Sequence, residues 1–232
     1  MKNGSKIVIL GDLHHPYVNH DHLQLVYEEI KAHKPSVVLQ AGDLYDQYCF
    51  SRYSRSASFT TPEEELIFGR REAEEMWTKV RKLAPNAKLL QLKGNHDMRI
   101  AKRLAEKLPE LESLLEPGLT DLYKFKGVQT VRDERTETIV DGILFIHGYL
   151  SRLGDHARKN LMSTVVGHSH VGGTAFFSHR GETLFELNVG YLADKDQLPL
   201  QYGQQRMKNW TSGFGLLTKV NGVWRPQFCP FE

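Results

Sequence analysis

The chain reads as an α/β protein in which two sheets pack face to face with helices outside. Three observations carry that expectation. A strand–helix–strand pattern opens the chain over some 35 residues, the signature of a β-α-β unit with a parallel pair. The second half instead alternates short apolar runs with turn signals, as a β-rich half would. Several apolar runs in both halves stop at a glycine followed by Asp, Asn or His.

The elements follow in order. Residues 6–10 (KIVIL) form a β-branched, apolar run ending at Gly11, which fits a buried strand. Leu23, Val26, Tyr27 and Ile30 recur at helical spacing over 21–33, with Asp21 as a capping residue and Pro35 as the stop. Residues 37–41 give the second strand. A polar stretch over 47–62 reads as an excursion or lid. Thr61-Pro62-Glu63-Glu64 then opens a long helix reaching about residue 83, with Pro at its first position and acids in its first turn. Residues 88–92 give a third strand, and 98–116 are helical by pattern, interrupted at Pro109. Further strands are expected at 128–132, 137–140, 143–147, 163–166, 174–178, 183–187, 214–220 and 223–228. A short helix is expected near 153–161. Asp141-Gly142, Arg180-Gly181 and Asn221-Gly222 mark tight turns. No repeat or linker divides the chain, so 1–232 is expected to be a single domain with a lid or insertion at 47–62.

Bulk composition narrows the function classes. The 232 residues suffice for one large core. A net charge of +2 neither argues for nucleic acid nor excludes it. Cys49 and Cys229 stand far apart, without metal-type spacing. The four-residue apolar run near the start is too short for a signal-peptide core, and no run approaches the ~20 residues of a membrane span. A cytoplasmic protein with reduced thiols is the expectation.

The 11 histidines are the unusual feature. Five predicted strands run into polar clusters: Gly11-Asp12-Leu13-His14, Gly42-Asp43-Leu44-Tyr45-Asp46, Gly94-Asn95-His96-Asp97, His147-Gly148 and Gly167-His168-Ser169-His170. Ligands of open α/β sheets bind where the strands' carboxyl ends converge. Imidazole, carboxylate and amide without thiolate suit Mn, Fe, Zn or Ni. Asp12 with His14, and His168 with His170, would project to one side of an extended chain.

In their order, D-x-H, G-D-x-x-D, G-N-H-D, H-G and G-H-x-H resemble the calcineurin-like metallophosphoesterases, over about three quarters of the chain. The resemblance implies a four-layer α/β/β/α sandwich of two mixed sheets, and a site for two divalent cations, manganese by preference. Asp12, His14 and His170 would hold one; Asn95, His147 and His168 the other; Asp43 would bridge them. A hydroxide between the metals would attack phosphorus in line. His96 would protonate the leaving group, Asp46 would orient His96, and Asp97 would hold the turn. Asn95 would also touch substrate.

The pattern departs from the serine/threonine protein phosphatases. His15, Gln47-Tyr48 and Lys93 stand where those read Gly, Arg-Gly and Arg. Arg52 and Arg99 are the candidate replacements for the missing phosphate grip. The expected substrate is therefore a phosphoester, with phosphodiesters or nucleotides, nucleic acid included, ahead of phosphoproteins. The alternatives are a phosphomonoesterase acting on small molecules or proteins, and a binding scaffold that kept the fold without catalysis. Arg and aromatic residues interleaved over 50–59 could stack on nucleic acid or form a solvated lid. The remaining histidines (His15, His20, His22, His33, His156 and His179) are expected at the surface or bracing others. Residues 209–217 are expected in a core strand, and Asn188 is a candidate brace for the metal-site loops. Nothing in the sequence marks an oligomeric interface.

Overall fold

The computed structural model describes residues 1–53, 59–131, 137–197, 199–200 and 209–231. Strand β1 (Lys6–Leu10) is followed by α1 (His20–His33), β2 (Val37–Gln40), α2 (Pro62–Leu83), β3 (Lys88–Gln91), α3 (Arg99–Lys107), α4 (Glu112–Asp121) and β4 (Val128–Thr130). The second half contributes β5 (Glu137–Val140), β6 (Ile143–Ile146), α5 (Asp155–Asn160), β7 (Thr164–Val166), β8 (Gly173–His179), β9 (Glu182–Asn188), β10 (Gly213–Val220) and β11 (Val223–Pro230).

These strands make two mixed sheets, ordered β11-β10-β1-β2-β3-β4 and β5-β6-β7-β9-β8. Strands β1 to β4 run parallel, as do β6, β7 and β9. Antiparallel β10 and β11 extend the first sheet, and antiparallel β5 and β8 flank the second. Alternation along β1 sets the layers. Ile7 and Ile9 pack with Phe145, Val165 and Leu187 of the other sheet. Val8 and Leu10 pack outward with Val26, Ile30, Met76, Trp77 and Val80 of α1 and α2. Leu144, Ile146 and Val166 form a smaller apolar cluster with Met162, just beyond α5. Both faces of β1 are therefore buried, which is why it is apolar throughout rather than alternating.

Local signals place most boundaries. Thr61 and Glu64 form the reciprocal cap that opens α2. The three two-residue turns all adopt left-handed backbone, from Asp141-Gly142 to Asn221-Gly222. Three expectations are corrected. Asn19, not Asp21, caps α1, its side chain accepting from the His22 amide at 3.0 Å. Helix α4 runs through Pro117 to Asp121 rather than ending at 116. Residues 209–212 precede β10 rather than belonging to it.

The expected excursion at 47–62 begins as a tethered segment. A 3-10 turn at Tyr48–Phe50 is held by Glu65 of α2, whose buried carboxylate accepts from the Tyr48 and Cys49 amides at 2.5 and 2.9 Å. Its middle, 54–58, lies outside the described residues.

Candidate metal centre

The parallel strands of both sheets deliver their carboxyl ends to one place. The loop after β1 runs alongside the loop after β2: the amides of Asp12, His14 and His15 donate to the carbonyls of Gly42, Asp43 and Leu44 at 3.3, 3.0 and 2.8 Å. This pairing coils the backbone tightly. Asp12, His14 and Asp43 have φ of 49°, 52° and 53°, and His168 and His170 have 70° and 59°. The expected extended geometry of the D-x-H and H-x-H pairs is therefore corrected. Left-handed backbone is uncommon for residues with a Cβ and costs of the order of 1–3 kcal/mol each. The surrounding loops impose it, and it turns these side chains inward.

Asp12, His14 and His170 offer ligand atoms within 4.8 Å of one another, and Asp12, Asp43 and His147 do likewise. All five residues are buried. Asp43 is central: its Oδ2 lies 3.2 Å from His147 Nε2 and 3.9 Å from His14 Nε2. Asn95 Oδ1 lies 3.2 Å from His147 Nε2 and 2.8 Å from His168 Nδ1. The seven candidate ligands are thus gathered from five loops.

Two rings are oriented to present Nε2. His147 Nδ1 donates to the Ala41 carbonyl at 3.0 Å, and His14 Nδ1 meets Asp46 Oδ2 at 2.8 Å. That arrangement fixes the tautomer and leaves the Nε2 lone pair for a cation. Among the described residues the buried His14 Nε2 has no hydrogen-bond partner while facing two carboxylates, as a metal-ligating nitrogen would. The donor set fits divalent cations. Burial alone would raise the Asp12 and Asp43 carboxyls, yet the neighbouring histidines hold both below the usual range. Burial alone would lower His147, but Asp43 and Asp12 outweigh it and lift it to about 9. The cluster therefore favours positive charge between its carboxylates.

His96 lies at the edge of this cluster, its Nε2 3.9 Å from Asp43 Oδ2 and its Nδ1 3.2 Å from Asp46 Oδ2. One Asp46 oxygen thus serves both His14 and His96. Burial would raise the Asp46 carboxyl, but those two rings keep it well below the usual range. Arg99, the first residue of α3, donates to Asp46 Oδ1 at 3.0 Å and to its carbonyl at 2.9 Å. Its Nη2 stands 3.0 Å from His96 Nε2. Arg52, by contrast, is exposed with its guanidinium against the Tyr53 ring, and among the described residues it shows no hydrogen bond or ion pair with the cluster. Lys93 packs its ammonium on the Tyr123 ring, 4.3 Å from the centroid.

Asp97 does not enter the cluster. Its carboxylate accepts from the amides of Gly94, Leu44 and Tyr45 at 2.8–3.1 Å, joining the loops after β2 and β3. Burial, then the Asp43 charge, raises it to about 6. Other braces carry no motif and escape sequence reading. Gln47 spans Asp97 and Ile100, and Glu72 holds His15 at 3.0 Å. Buried His156 accepts from the amides of Tyr149 and Leu150, fixing the loop after His147. Asn188, by contrast, is a candidate brace in the sequence, and it donates to the Gly167 carbonyl and to Ser169 at 3.3 and 2.7 Å.

Gly42 shows why glycine is needed here. Its φ is +100°, and a Cβ would fall 2.6 Å from His147 Nδ1 and 2.9 Å from the Gly94 nitrogen. Gly42→Ala should displace the His147 ring from Ala41. The expected result is a Mn²⁺ Kd raised ~10–100-fold by calorimetry, with a melting point ~2–10 °C lower. Unchanged affinity would show that the loop absorbs the methyl.

Residues 5–216 match the family model of the calcineurin-like phosphoesterases. The chain belongs to that family of metal-dependent hydrolases acting on phosphoester bonds. It is 25% and 26% identical to the Gene 54 proteins of Mycobacterium phages D29 and L5, over 97% of this chain and 93% of theirs. Similar solved structures include an archaeal phosphodiesterase (17% identity, 96% and 98% of the two chains, TM-score 0.48). Another is a Vps29 from Entamoeba histolytica (15%, 98% and 99%, TM-score 0.44). Among the described residues no helix is long and apolar enough to cross a membrane.

Proposed function

We propose that the chain is a dinuclear, metal-dependent phosphodiesterase of the cytoplasm. The supporting observation is the convergence of five strand-end loops on Asp43, with the buried His14 Nε2 left facing two carboxylates. Asp12, His14 and His170 would hold one cation, and Asn95, His147 and His168 the other, with Asp43 between them. Bound Mn²⁺ would acidify a water and neutralise charge on the phosphoryl group.

The chain's own residues supply the rest. His96 donates a proton from Nε2 to the leaving oxygen, held by Asp46 through Nδ1. Arg99 occupies that Nε2 face, so substrate entry moves its guanidinium from His96 onto a phosphoryl oxygen. The bound cations would offset the buried Asp12 and Asp43 charges, so discrimination between substrates falls to the side chains around them. Lys93 is turned onto Tyr123, and Arg99 is shared with Asp46. With both of these side-chain cations engaged, a singly charged diester suits the described lining better than a dianionic monoester.

A phosphomonoesterase is the second reading, with Arg99 as the phosphate grip. Side-by-side kcat/KM on nitrophenyl phosphate and bis-nitrophenyl phosphate with Mn²⁺ separates the two. At least ~10-fold preference for the diester is expected, equivalent to ~1.4 kcal/mol of transition-state discrimination. A monoester preference overturns the diesterase reading.

A further inference from the structure

The reaction as proposed uses only the first residue of a basic helix. Helix α3 begins at Arg99, whose guanidinium is 3.0 Å from His96 Nε2, and reads RIAKRLAEK. Ile100 is buried and Leu104 half-buried, so one side of the helix faces the protein. Lys102 and Arg103 lie three and four residues after Arg99, on the same side of the helix as Arg99. Both are exposed, and neither pairs with a carboxylate among the described residues. Glu106 is the one acid on α3. The chain as a whole carries only +2, so this local run of cations is not a reflection of a generally basic surface.

We infer that α3 is a phosphate track that carries the leaving-group strand of a polynucleotide substrate away from His96. The inference rests on the phosphodiesterase reading, because it is His96, facing the leaving oxygen, that assigns α3 to that strand. The nine residues of α3 span ~14 Å, about two phosphate-to-phosphate steps of an extended single strand, and the stretch from Arg99 to Arg103 spans about one such step. A mononucleotide would reach Arg99 only. A strand extended on the leaving side would reach Lys102 and Arg103 as well. Exposed cations that contact phosphates without base edges bind sequence-independently and with strong salt dependence.

The test separates the track from the reaction. Lys102→Gln/Arg103→Gln is compared with the unaltered chain, both in an Mn²⁺-loaded His96→Ala background in which turnover is slow. The probe is a fluorescent twelve-nucleotide single strand, followed by anisotropy across a salt series. Loss of two phosphate contacts should weaken binding ~10-fold at low salt and reduce the slope of log K against log salt by ~1.4. Equal affinity and slope in the two proteins, or no binding by the unaltered one at low salt, overturns the track. With His96 restored, the double variant should keep its kcat/KM on bis-nitrophenyl phosphate within ~2-fold. A comparable loss on that small diester would mean that the two cations act on the reacting phosphate or the fold, and would also overturn the track. Absence of bis-nitrophenyl phosphate turnover in the unaltered chain would instead strike the phosphodiesterase reading, while the anisotropy result would still decide whether α3 binds a strand.

Discussion

Asp43→Asn should lower kcat/KM on any phosphoester by ~10³-fold or more, about 4 kcal/mol of transition-state stabilisation. The substitution keeps the size and shape of the side chain. The amide oxygen can still accept from the His96 amide, as Oδ1 now does at 2.8 Å. What disappears is the charge on Oδ2, which faces His147, His14 and His96 together. A neutral amide cannot hold two dications, so bound Mn²⁺ should fall below two equivalents by elemental analysis. The metal-free variant should also melt lower than the unaltered chain near neutral pH. Burial alone would raise the Asp43 carboxyl, yet the neighbouring histidines hold it well below its usual range, and its ionised form therefore favours the folded state. Activity within tenfold of normal would remove Asp43 from the reaction. Intact partner binding with no turnover in either protein would favour a scaffold of the same fold.

His96→Ala should divide substrates by leaving group. Nitrophenolate departs without a proton, so nitrophenyl esters should slow only a few-fold. Esters of nucleosides or alkyl alcohols leave as strong bases and should slow ~10²–10⁴-fold. Metal content should stay unchanged, because in this assignment His96 gives a proton and holds no cation. The geometry makes the outcome informative. His14, Asp43 and His96 also lie within 4.8 Å of one another, so a ligand role is open to His96 on distance alone. Loss of one metal equivalent in this variant would establish that role and overturn the assignment as proton donor. Asp46→Asn offers a related contrast: its Oδ2 orients both His14 and His96, so metal affinity and leaving-group dependence should suffer together.

Much of this site is legible because its chemistry needs particular residue types beside turns. Each block sits within a few residues of a strand end, and strands are recognisable by apolar runs that are buried on both faces. The Asp43 and His147 positions follow from that logic alone, whereas the turn-holding part of Asp97 comes from the family resemblance. The braces are different. Gln47 and Glu72 are ordinary residues at ordinary spacings, made significant by neighbours some 50 residues or more away in sequence. Arg52 and Arg99 were equivalent as sequence candidates. Only the packing of α3 against the turn at 48–50 sets Arg99 on His96 and leaves Arg52 on Tyr53.

The sequence by itself therefore determined the layered α/β architecture, the five polar blocks and the nature of the ligands they offer. Those properties come from local periodicity and from the few residue types that bind hard cations. The tertiary structure decided the rest. It coiled Asp12, His14, Asp43, His168 and His170 into left-handed backbone rather than extended chain. It shared one Asp46 carboxylate between two rings, and it chose which arginine meets the leaving group. The physical reason is that each of these depends on hydrogen bonds and packing between loops 30 to 150 residues apart, a distance no local pattern encodes.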